Sequence, residues 1–189
     1  MTTFTNITDN LISKATLKKA IIFTAIFAAM YALINASGIG VAGLLKITGG
    51  ANILDFEVGY TYEQAKGLLT ALGAEGRSFY LTRILPLDFL FPISYMLFYT
   101  GWIALFLKHI TVREWMKFAL VLPGLNMLFD WIENIGIIAM LRVYPDLPEF
   151  AVYTSSIAGT VKMTLAAANI ALICIFFVLF LVKKVRARH

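Results

Sequence analysis

One cysteine, Cys174, and two histidines, His109 and His189, are the only thiol and imidazole groups among 189 residues. A single thiol forms neither an intrachain disulfide nor a dithiol pair, which excludes thiol-redox chemistry of the chain's own. One histidine sits in a short loop and the other at the C-terminal end. Paired axial ligands for a buried haem are therefore missing, and a Cys/His zinc site is equally unsupported. G-x-S-x-G, H-E-x-x-H and a phosphate-cradling loop are absent too, so no metal and no cofactor are expected. Charge is scarce, at 14% of residues. The net charge of +5 comes with no aromatic-interleaved basic groove, which argues against nucleic acid as a partner.

What fills the chain instead is apolar: 60% hydrophobic residues and a mean hydropathy of +0.81, far from the composition of a soluble domain. A hydrocarbon core about 30 Å thick needs roughly 20 apolar helical residues per crossing. The apolar runs predict an all-α integral membrane four-helix bundle forming one domain over 1–189, with spans at about 20–45, 79–107, 115–142 and 151–182. The start of the second depends on how Pro86 is used. The first run, flanked by Lys18 and Lys19, also mimics a signal peptide at Asn35-Ala36-Ser37; it is expected to be a retained anchor behind a short tail.

A loop helix is predicted at 61–73. Thr61 and Gln64 have capping-box spacing, Tyr62, Ala65, Leu68, Leu69 and Leu72 recur on one face, and Gly73 and Gly76 follow. Such an amphipathic segment is expected on the outer membrane surface or capping the bundle. Orientation follows from the basic residues. Lys14, Lys18, Lys19, Lys108, Arg113, Lys117, Lys183, Lys184, Arg186 and Arg188 fall on one side, against Lys46, Lys66, Arg77, Arg83 and Arg142 on the other. The richer side is cytoplasmic, so both termini are expected there, in a plasma or inner membrane, with anionic lipid headgroups as partners of the C-terminal cluster. Trp102, Trp115, Tyr144 and Tyr153, near span ends, read as interfacial anchors.

Gly38, Gly40 and Gly43 match the dinucleotide fingerprint by letter, yet no strand precedes them; close packing or unwinding near the outer surface explains them better. The third span carries more information. Asn126, Asp130, Glu133, Asn134 and Ile137 follow i, i+4, i+7, i+8, i+11 and share one helical face. A charge near the helix centre costs about 2.5–3.5 kcal/mol on insertion scales, so this stripe must face the bundle interior or a wet cavity. Lys162 is the expected counter-ion, with Ser155 and Asn169 seven residues to either side. On the second span Asp88, Tyr95 and Tyr99 share a face, with Arg83 a turn or so further out. Pro92 has no N–H for the Asp88 carbonyl, which leaves backbone and side-chain acceptors of one residue seeking partners.

The candidate site is thus Arg83, Asp88, Tyr95, Asn126, Asp130, Glu133, Asn134, Lys162 and Asn169, in the outer half of the bundle. Three functions fit it. An outward-opening polar cavity would bind or move a small polar or amphiphilic, lipid-like ligand. An intramembrane acid/base enzyme would use Asp130 and Glu133. A non-catalytic assembly or structural protein would use the charges only to neutralise one another and fix helix register.

Overall fold

The computed structural model describes residues 2–110 and 113–187; Met1, Thr111, Val112, Arg188 and His189 lie outside the described residues. The architecture is all-helical, with no strand among the described residues. Four helical stretches are long and apolar enough to cross a membrane: Leu17–Thr48, Gly73–His109, Glu114–Val143 and Glu149–Arg186.

The chain opens with α1 (Thr2–Ser13) and enters α2 (Leu17–Ala36), whose first turn is capped by the Thr16 hydroxyl accepting from the Lys19 N–H. The first long stretch is not one straight helix. It breaks at Ser37–Gly40 and resumes as α3 (Val41–Thr48). Glycine is required at this bend, because a Cβ on Gly40 would collide with the Ile34 carbonyl and one on Gly43 with the Gly38 carbonyl.

After α3 a 3-10 turn (Leu54–Phe56) leads to α4 (Tyr62–Ala71). Its capping box is reciprocal: Gln64 N–H donates to Thr61 Oγ1 (3.3 Å) and Thr61 N–H to Gln64 Oε1 (2.8 Å). Ala65, Leu69 and Leu72 are buried, and Leu68 packs against the same cluster. Arg77 closes this region, donating to the Leu69 carbonyl (2.8 Å) and lying over the Tyr144 ring.

The second stretch runs from α5 (Gly73–Phe79) through a π-turn (Tyr80–Ile84) into α6 (Leu85–His109). Pro86 explains the π-turn. A proline inside a helix removes one bond and crowds the preceding turn, and widening the ladder by one residue relieves both. The Leu85 N–H accordingly reaches back to the Tyr80 carbonyl. A 3-10 segment (Glu114–Leu120) then leads into α7 (Leu122–Val143), and α8 (Glu149–Arg186) ends the fold. The Trp102 indole N–H donates to Thr24 Oγ1 (2.9 Å), fastening α6 to α2.

Helix α6 packs on α2, α7 and α8, while α7 and α8 make the most extensive pairing. Gly136 permits that approach, since a Cβ there would meet Ser155 Oγ. Two apolar cores result. One gathers α3, α4 and the adjoining ends of α6, α7 and α8 around Leu54, Tyr80, Ile137 and Val152; the other gathers the opposite ends around Tyr99, Ile103, Leu120 and Phe176. The polar residues of α6, α7 and α8 lie between them.

Candidate functional site

Each helix reaches this middle layer with one face. On α7 the spacing turns Asn126, Asp130, Glu133, Asn134 and Ile137 inward, and all five are buried. On α8, Ser155, Lys162 and Asn169 are buried in a line, and on α6, Asp88, Pro92, Tyr95 and Tyr99. Arg83 does not join them. It is exposed, in the π-turn that precedes α6.

Lys162 is the hub. Its ammonium lies 2.5 Å from Glu133 Oε2, but 4.0 Å from Asp130 Oδ1 and 3.9 Å from Asp55 Oδ1. Only the first is a hydrogen-bond distance. Glu133 has no exposed surface, and Gly159 makes room for it: a Cβ there would collide with Glu133 Oε1. The Ser155 hydroxyl donates to the Glu133 carbonyl (3.1 Å), tying α8 to α7 beside the ion pair.

Asp130 is held from two sides. The Tyr95 hydroxyl donates to its Oδ2 (2.9 Å), and Asn134 Nδ2 reaches its Oδ1 (3.3 Å). The same Asn134 amide donates to the Asp88 carbonyl (3.2 Å), the acceptor that Pro92 leaves without a backbone donor. Asn169 donates to the Leu165 carbonyl of its own helix (2.9 Å).

Sequence reasoning missed Asp55 and the tyrosines around it. Asp55 lies in the 3-10 turn after α3 and accepts a hydrogen bond from the Tyr80 hydroxyl of the π-turn. Its one local signal is a carboxylate set within the apolar run Ile53-Leu54-Asp55-Phe56, which helical periodicity does not interpret. Tyr60, in the same connection, is buried too. Burial pushes its hydroxyl well above the ordinary tyrosine range, and the nearby Glu133 charge adds to that.

These groups end in a cavity of about 220 Å³. Asp55, Asp88, Asn126, Asp130 and Lys162 line one part of it; Phe27, Tyr31, Phe91 and Met163 line another. Tyr31, Phe56 and Met163, all exposed, mark its mouth, with α2 and α8 on either side. Four carboxylates, Asp55, Asp88, Asp130 and Glu133, here meet one ammonium. Chemically the arrangement can hold a polar or cationic group at its buried end and an apolar one along its wall. Compared with protein-family models, curated proteins and solved structures, the chain matches none of them, so the reading of this site rests on its own geometry.

Proposed function

We propose that the chain is an integral membrane protein that binds or moves a small amphiphilic ligand, with the polar head among Asp55, Asp88, Asp130 and Lys162 and the apolar part along Phe27, Tyr31 and Phe91. The observation that carries this reading is one continuous cavity with a charged end and an aromatic wall. A charge network serving only helix register would be better served by closed packing than by such a space. Membrane placement is supported by the four long apolar helices and by their outer faces, where Ile21, Ile22, Ile157, Ile170, Ile175 and Val178 are exposed. In that setting the mouth at Tyr31 and Met163 opens toward lipid, and α4 lies outside the bundle over the charged half.

The test is native mass spectrometry of the full chain extracted in mild detergent. A discrete bound species at about one per chain is expected, and it should be lost in Ala166→Trp, which fills the cavity from α8. Retention of bulk lipid alone, or a species indifferent to Ala166→Trp, refutes the reading.

A further inference from the structure

The carboxylates of Asp55, Asp88 and Asp130 each offer one oxygen, and the three oxygens lie within 4.8 Å of one another. All three residues are buried. Lys162 does not account for them: its close ion pair is with Glu133, at 2.5 Å, and it stands 3.9 and 4.0 Å from Asp55 and Asp130. Three like charges so close in a buried site repel strongly, and a retained proton or a bound cation relieves them.

A second observation comes from outside the acidic trio. Asn126 is 1% exposed and lines the same cavity, and its Oδ1 has no hydrogen-bond partner in the protein. Asp55 Oδ1 and Asp88 Oδ2 are likewise without one. Every buried side-chain atom lacking a partner among the described residues is an oxygen, and, Tyr60 aside, each belongs to a carboxylate or an amide carbonyl. The site therefore presents acceptors in excess and calls for positive charge rather than for a further acceptor.

We propose that Asp55, Asp88 and Asp130 hold a divalent metal cation of the hard, oxygen-preferring class, with Asn126 Oδ1 as a neutral fourth donor. The donor set favours a Ca²⁺-like ion, because Mg²⁺ keeps several waters and is seldom held by an all-protein oxygen cage. For three oxygens within 4.8 Å of one another a point exists no further than about 2.8 Å from each, so at most a few tenths of an ångström separate them from the Ca²⁺–oxygen range of about 2.3–2.6 Å. The donors come from the turn after α3, from α6 and from α7, so the ion would tie the loop region to the helical core. The proposal goes beyond ligand binding and does not rest on it, although the ion would meet the ligand's polar head at the same three carboxylates.

The experiment uses the detergent-solubilised full chain, stripped with chelator and titrated with CaCl₂ and, separately, with TbCl₃. Thermal unfolding and terbium luminescence sensitised through Tyr95, whose hydroxyl bonds Asp130, are the readouts. A saturable rise in Tm with Ca²⁺ is expected, together with terbium luminescence that Ca²⁺ displaces. Asp88→Asn should weaken both by at least about ten-fold, because the site's affinity follows its ligand charge. Asp9→Asn, at the far end of the molecule, should leave both unchanged. Asn126→Leu keeps all three carboxylates and gives a second test should Asp88→Asn fail to fold. No saturable response to either ion at millimolar concentration overturns the proposal, as does wild-type affinity in whichever of Asp88→Asn and Asn126→Leu remains folded. Ca²⁺ binding that survives Ala166→Trp while the amphiphile is lost would separate the metal site from the ligand reading.

Discussion

A lysine and a glutamate 2.5 Å apart in a site with no exposed surface on the acid depend on each other. Removing one partner of a buried pair leaves the other charged and unsolvated, at about 3–5 kcal/mol, comparable with much of a domain's net stability. Lys162→Met is therefore expected to destabilise the fold by that order. Adding Glu133→Gln should recover part of the loss, because the orphaned charge goes with it. Equilibrium unfolding of the wild type, both single variants and the double variant measures the coupling, and additive losses would show that the pair is not a unit. Gly159 bears on the same result. Glu133 is seated where a Cβ would stand, so it has little freedom to find another partner once the ammonium is gone.

At the scale of helices, α6 and α7 are joined through a backbone defect. Pro92 takes away the donor for the Asp88 carbonyl, and the Asn134 amide replaces it at 3.2 Å. Asn134→Leu should cost about 1–3 kcal/mol, the penalty of an unsatisfied buried acceptor. Pro92→Ala, which restores an N–H within α6, should lower that penalty in the double variant; equal losses with and without the proline would sink the account. This pairing also marks what the sequence could reveal. The inward face of α7 was legible because its period is local, and the missing N–H at Pro92 is written in one letter. Asp55 was not, because it reaches the site from a turn whose position depends on tertiary packing. Arg83 stands apart from the cluster because it lies in the π-turn ahead of α6, which the sequence pattern does not announce. The bend at Ser37–Gly40 had a glycine signal, but the collisions that require glycine there involve carbonyls several residues away. The proposed cation site is equally hard to read from sequence, because its carboxylates stand on three separate elements.

For the whole molecule, the uneven distribution of Lys and Arg makes a claim about orientation that helix packing alone does not. Packing gathers the basic residues of one side at one end. Lys108 donates to the Ser13 and Ala15 carbonyls (2.7 and 2.8 Å), and Lys117 lies 2.7 Å from Asp9. Lys183 and Arg186 flank Ile110 at the same end. Thr70 hydrogen-bonds the Tyr144 hydroxyl (2.9 Å) at the other, beside α4 and the connection between α7 and α8. An even number of crossings returns the chain to the side on which it began, and an excess of Lys and Arg near span ends is retained in the cytoplasm. Cysteine at position 113 is then expected to be shielded in intact cells, and cysteine at position 70 to be labelled by a membrane-impermeant maleimide. Both are read in a Cys174→Ser background, because Cys174 is exposed. The two positions are exposed in the fold, so accessibility reports the side of the membrane rather than burial. Labelling at 113 with protection at 70 would invert the orientation and turn the mouth of the cavity, with its carboxylates, toward the cytoplasmic half. Labelling at both would put them on one side, with an even number of crossings between them in place of the single span Gly73–His109, and the four-span arrangement would fall with it.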